Sequence, residues 1–231
     1  MNDNDLMRIQ ADTLFTYDRR GRTVRDNFPG GGPAPRLFVG RTLGGDVVRF
    51  SEAVPETLVR RLAAVLERES PAGDLKRAPA AAKVLRDLLE GHAPVIASGG
   101  GPAYRFPDAL SEPAGVVQLT DAGASLVQHT FPRLFGTLAE SHPCVAVVRD
   151  DAAVSVCFSS RVGPGATEAE VETLPDFRGR GYGAAVTAGW GHLMQAAGTI
   201  PLYSTSWENL GSRGVARRVG LIMYGADLYW T

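Results

Sequence analysis

Residues 166–194, ATEAEVETLPDFRGRGYGAAVTAGWGHLM, decide how the rest of the chain is read. Ala169, Val171 and Thr173 alternate with Glu168, Glu170 and Glu172, the period of a strand. The pattern stops at Pro175, passes through Arg178-Gly179-Arg180-Gly181-Tyr182-Gly183, and enters a helical repeat of Val186, Trp190, Leu193, Met194 and Ala197. A strand, a glycine-arginine turn and a helix together suit an anion. Glycines let the backbone approach a ligand, and the first amides of a helix lack intrahelical partners. The helix dipole adds positive potential there, and Arg178 and Arg180 supply charge matched to phosphate oxygens. On spacing alone the stretch fits equally a tight strand-to-helix turn carrying two solvated arginines.

Composition narrows the classes of function. The chain has 231 residues, 44% of them hydrophobic and 21% charged, with a net charge of −1, so it can bury one large core or two smaller ones. Near-neutral charge without a basic block argues against nucleic acid or an anionic membrane as the main partner. No apolar run reaches the roughly 18–20 residues that cross a bilayer, and the acidic start MNDNDLMRIQ lacks the regions of a signal peptide, so a cytoplasmic location is expected. His92, His129, His142 and His192 are scattered and nothing has metal-site spacing, so no metal is expected. Cys144 and Cys157 lie in two strand-like runs joined by Asp150-Asp151. A two-residue turn there puts the thiols opposite each other, reduced in a reducing compartment.

Outward from the central stretch, the first hundred residues read as a small α+β unit. LFTYDRRGRTVRDN and RLFVGRTLGGDVVRFS read as hairpins turning at Arg20-Gly21 and Gly44-Gly45. Helices follow over PETLVRRLAAVLERE and from Pro79 to Glu90. Ser98-Gly99-Gly100-Gly101-Pro102 has the composition of a connector, which divides the chain into residues 1–102 and 103–231. Beyond it come a strand at Val116–Leu119, helices at Asp121–Gln128 and Phe131–Glu140, the cysteine hairpin, the central stretch and a strand in IPLYSTSW. A helix capped by Asn209 and one or two closing strands in LIMYGADLYWT complete the chain.

This order resembles the GCN5-related N-acetyltransferases. Arg178-x-x-Gly181-x-Gly183 is similar to that family's acyl-CoA motif, and Asn209-x-x-Ser212 with Val219-Gly220-Leu221 is similar to its second motif. The resemblance covers about Ala103 to Thr231. It implies a mixed, mostly antiparallel α/β (α+β) sheet flanked by helices and preceded by a smaller α+β domain. It also implies acetyl-CoA as co-substrate and transfer of the acetyl group to an amine of a small molecule or peptide by direct attack. Gly179, Arg180, Gly181, Tyr182 and Gly183, with Arg178, would hold the CoA pyrophosphate. Main-chain groups of Val171, Thr173 and Leu174 would pair with the pantetheine, and Asn209 and Ser212 would line its channel. A strand glutamate would be the base: Glu172 first, as nearest the expected thioester, and Glu168 second. Many members carry a tyrosine acid seven residues after the asparagine; here that position is Ala216, which leaves Ser206 as first substitute ahead of Ser204, Tyr203 and Tyr224.

Other readings fit less well. Gly179-x-Gly181-x-x-Ala184 matches a dinucleotide fingerprint, but no acidic residue lies between Asp176 and Glu208 to take the ribose. Ser204-Thr205-Ser206 lacks the elbow of a nucleophilic serine. The competing function is a module that binds acyl-CoA without transferring the acyl group, its first unit serving as a sensor or partner-docking domain. As part of an enzyme, that unit would wall the acceptor pocket, cover the sheet or form a homodimer contact.

Overall fold

The computed structural model describes residues 1–70, 72–110 and 112–231. The chain divides into two compact units. One comprises Met1–Ala103, Thr205–Trp207 and Met223–Thr231; the other comprises Tyr104–Ser204 and Glu208–Ile222.

The first unit opens with helix α1 (Asp3–Leu14), which no apolar repeat in the acidic start announces. A capping box begins it: the Asn2 side chain accepts from the Asp5 amide, and the Asp5 side chain accepts from the Asn2 amide. The two expected hairpins form as β1 (Phe15–Tyr17) with β2 (Thr23–Asp26), and β3 (Leu37–Thr42) with β4 (Gly45–Phe50). Helices α2 (Glu56–Leu66) and α3 (Ala82–Glu90) follow, then β5 (Ser98–Arg105). With β11 (Ile222–Trp230), the sheet runs β4-β3-β11-β5. Leu37, Val39, Leu58, Leu62, Leu85, Leu89 and Trp230 make its core. Arg36 ties this core down, its guanidinium donating to the carbonyls of Leu89, Ala93, Pro94 and Thr231. The glycine run, which ends just before the division between the units at Ala103, is strand and forms part of β5. A Cβ on Gly100 would lie 2.2 Å from the Asp227 carbonyl oxygen and one on Gly101 would lie 1.8 Å from that of Thr205, so close backbone neighbours demand the glycines.

In the second unit the sheet order is β10-β9-β8-β7-β6. Its strands are β6 (Val117–Leu119), β7 (Cys144–Arg149), β8 (Ala152–Val162), β9 (Ala166–Thr173) and β10 (Ile200–Ser204). Helix α4 (Pro132–Thr137) begins at Pro132 and gives way to a 3-10 turn at Leu138–Glu140. The segment Asp121–Leu126 is likewise 3-10 and not an α-helix. Pairing is antiparallel from β6 to β9 and parallel between β9 and β10. Helices α5 (Tyr182–Ala196) and α6 (Leu210–Val219) complete the unit.

The cysteine hairpin turns at Asp150-Asp151, both with positive φ, as the two-residue turn requires. A register shift at Val147/Val148 then leaves Cys144 opposite Phe158 and Val145 opposite Cys157. That slip sends the two thiols to opposite faces, correcting the expectation that they face each other. Cys144 joins the cluster of Leu134, Phe131 and Phe158, and Cys157 joins that of Val186, Trp190 and Met194. Burial pushes the Cys144 thiol up to about 12.

Candidate active site

The parallel ladder between β9 and β10 lasts three pairs: Ala166 with Ile200, Thr167 with Pro201, Glu168 with Leu202. Both strands then continue, β9 to Thr173 and β10 to Ser204, without pairing with each other. The edge of β9 that faces β10 therefore has no ladder partner over Ala169–Thr173. β8 covers its other edge as far as Ser155 opposite Thr173.

Alternation sorts the side chains at this parting. Ala169 and Val171 face the α5 cluster, and the three glutamates share the opposite face, as the pattern predicts. The three are not equivalent. Glu170 and Glu172, toward the outer end, both pair with Arg133 of α4, Glu172 at 2.9 Å, and keep 26% and 38% of their side chains exposed. Glu168, at the last β9–β10 pair, is only 2% exposed. Its Oε1 accepts from the Ser204 hydroxyl at 2.5 Å, while its buried Oε2 has no hydrogen-bond partner among the described residues. Burial raises its pKa above the ordinary carboxylate value, against the opposing pull of Ser204 and Arg161.

On the other face, Tyr203 is the first residue of β10 past the pairing. Its hydroxyl lies 2.6 Å from Ser212 Oγ in the first turn of α6. Burial pushes this phenol well above its usual value, so it stays protonated. Asn209 caps α6, its side chain accepting from the Ser212 amide at 3.0 Å. Ala216 is fully buried beside Tyr203 in the same cluster.

Thr173 leads through a 3-10 turn at Pro175–Phe177 into the glycine-arginine segment. Gly181, at φ +85, occupies the N-cap of α5, and no side chain caps the helix. The amides of its first turn are thereby left for a ligand. The Arg178 guanidinium donates to the Thr173 carbonyl, and Arg180 donates to that of Asp176 while lying over Phe177. Two cations here escaped sequence reasoning. Arg218, near the end of α6, brings Nη1 to 3.6 Å from the Cβ position of Gly181, and Arg149 at the end of β7 lies over Tyr182. Neither follows a motif spacing, because each arrives from another element.

The remaining sequence candidates lie elsewhere. Leu174 commits its amide to the Val154 carbonyl. Ser206 is exposed in Thr205–Trp207, grouped with the first unit, and the buried Tyr224 donates to Gln10 Oε1 at 2.5 Å in that same unit. No helix is long and apolar enough to cross a membrane among the described residues.

No family model matches the chain, and no curated protein matches it. Solved structures do. A GCN5-related N-acetyltransferase-like protein from Streptococcus suis is similar at a TM-score of 0.52 and 13% identity, over 100% of each chain. A GCN5-related N-acetyltransferase from Kribbella flavida is similar at 0.50 and 18%, over 100% of this chain and 95% of that one. Another from Sphaerobacter thermophilus, at 0.47 and 19%, matches 66% of this chain. The chain spans 57% of that protein's length, and 65% of a GNAT-family protein from Novosphingobium aromaticivorans. The first two likenesses cover the opening hundred residues as well, so the similarity is not confined to the part after Ala103. At these identities they establish the architecture: a mixed, mostly antiparallel sheet flanked by helices, in the fold of the GCN5-related N-acetyltransferases.

Proposed function

We propose that the chain is an N-acetyltransferase that uses acetyl-CoA and an amine-bearing small molecule or peptide. The observation that carries this reading is the parting of β9 from β10 at a buried carboxylate, next to an uncapped helix start with arginines around it. The residues fit acetyl-CoA: a Cβ position at Gly179 meets no atom within 4 Å, Gly181 meets only the tip of Arg218, and the edge of β9 is open.

The amides from Gly179 to Gly183, with Arg178, Arg180 and Arg218, would hold the pyrophosphate. The open edge around Val171 and Thr173 would pair with the pantetheine, with Asn209 and Ser212 on its far side, whereas the Leu174 amide and carbonyl are taken by Val154 and Phe177. Acetyl-CoA, when bound, supplies the thioester carbon that the amine attacks. Glu168 is the base in this reading, ahead of Glu172. Its Oε2 has no donor among the described residues and its raised pKa brings it toward the range useful for proton abstraction, whereas Glu172 is held by Arg133. Tyr203 takes the acid's place in place of Ser206. A phenol with so high a pKa gives up its proton poorly, so it donates a hydrogen bond to the developing thiolate through Ser212 and the thiol is completed from solvent.

The test combines turnover and binding. Purified protein with acetyl-CoA and a panel of amines should release free thiol. The double variant Arg178→Ala, Gly181→Glu should remain folded and lose CoA binding by calorimetry; unchanged affinity would overturn the assignment. The buried Ala216, where a tyrosine acid would stand, favours a second reading as an acyl-CoA-binding module. Tight CoA binding with no thiol released on any amine would select it.

A further inference from the structure

Three side-chain oxygens on the buried Glu168 and the half-buried Ser204 are arranged asymmetrically. The Ser204 hydroxyl donates to Glu168 Oε1 at 2.5 Å, the main-chain amide of Ser204 also bears on the carboxylate, and Oε2 is left without a donor. Ser204 lies two residues beyond Leu202, the last β10 residue paired with β9, so the same strand end that opens the gap also carries the hydroxyl. A carboxylate with one oxygen clamped and one bare has a single place to take a proton.

We propose that Ser204 is a positioning residue for Glu168: its hydroxyl fixes Oε1 against β10, so that Oε2 is the oxygen presented to the acceptor amine. The proposal rests on the acetyltransferase reading. The acceptor ammonium gives one proton to Oε2, and the freed nitrogen lone pair forms the N–C bond as the C–S bond breaks. The second nitrogen proton passes to water, and the thiolate takes a proton from solvent. Of the groups packed around the carboxylate, Arg161 on β8 favours its charged form and Tyr203 on β10 is a neutral phenol near it; burial opposes the charge. The Ser204 hydroxyl works with Arg161, so removing it raises the carboxylate's pKa.

Carbon-13 NMR titration of glutamate carboxyls in the free protein tests this, with Glu168→Gln identifying the resonance. Ser204→Ala should move the Glu168 midpoint up by about one pH unit, the size expected for one hydrogen bond to a charged group. Ser204→Thr, which keeps the hydroxyl, should leave it in place. Ser204→Cys, close in shape but a weak donor, gives the same reading should the alanine variant fail to fold. In kcat/KM the acidic limb should move upward by the same amount, while CoA affinity stays fixed. A Glu168 midpoint that does not move in either variant overturns the proposal even where thiol release is normal. A midpoint that moves in protein releasing no thiol on any amine overturns the acetyltransferase reading and leaves the Ser204–Glu168 coupling standing.

Discussion

Tyr203 Oη lies 2.6 Å from Ser212 Oγ, joining the first strand residue beyond the parting of β9 and β10 to the first turn of α6. Ala216 stands one helical turn after Ser212, in the same buried cluster as the tyrosine ring. The strand thus brings a phenol to a helix that has none of its own. Tyr203→Phe keeps the ring and removes the hydroxyl. Turnover should fall about tenfold, with a loss of about 1 kcal/mol in stability. CoA affinity by calorimetry should be unchanged; wild-type turnover would remove Tyr203 from the reaction.

Glu168→Gln should cut turnover by about 10²-fold or more in a folded protein. It should also change the dependence of stability on pH. The folded pKa of Glu168 is raised, so the folded state holds the proton more tightly than the unfolded chain. Its contribution is fully present below the unfolded value of 4.5 and is lost as pH rises through the folded pKa. The glutamine variant should therefore denature at a higher temperature than wild type near pH 7, with the gap closing below the unfolded value. A gap constant across that window, followed by calorimetric scans, would show that the buried charge costs nothing.

Glu172→Gln and Arg133→Ala separate the first-ranked glutamate from the buried one. Their ion pair is partly exposed and screened by solvent, so each substitution should change stability by less than about 1 kcal/mol. Turnover in Glu172→Gln should stay near wild type across pH 6 to 9. A loss comparable to that of Glu168→Gln would return the base role to Glu172.

Two helical glycines should respond with opposite signs. A Cβ on Gly191 of α5 would lie 2.5 Å from the Phe106 ring and 2.9 Å from Leu110, so Gly191→Ala should destabilise by about 1–3 kcal/mol. Gly214 of α6 has nothing within 4 Å, so Gly214→Ala should gain about 0.5–1 kcal/mol from helix propensity alone. Denaturant titration of the pair reads both; stabilisation by Gly191→Ala would refute the packing assigned to α5.

The glycine-arginine turn, α5 and the Asn209 cap were legible because each depends on neighbours in sequence: a positive φ, an amphipathic repeat and a side chain reaching three residues ahead. The shared face of the three glutamates was legible for the same reason. Which of them is buried was not, since that follows from β10 ceasing to pair at Leu202, some 34 residues away. Composition misled at Ser98–Pro102, where glycines serve tight contact and not looseness. The bulge in the cysteine hairpin and the arrival of Arg218 at Gly181 are likewise long-range outcomes without a local signature.

The parting of β9 and β10 leaves an unpaired strand edge within a unit's sheet, and such an edge ordinarily recruits another strand and seeds aggregation. Charged side chains along an edge strand deter such recruitment, and β9 carries three on one face, one of them buried where the gap begins. Incoming apolar strands would have to cover Glu170 and Glu172, while a slender polar chain such as a pantetheine arm needs only the main-chain groups. The partly exposed Glu170 and Glu172 would thus act as gatekeepers against self-association, a role separate from that proposed for the buried Glu168.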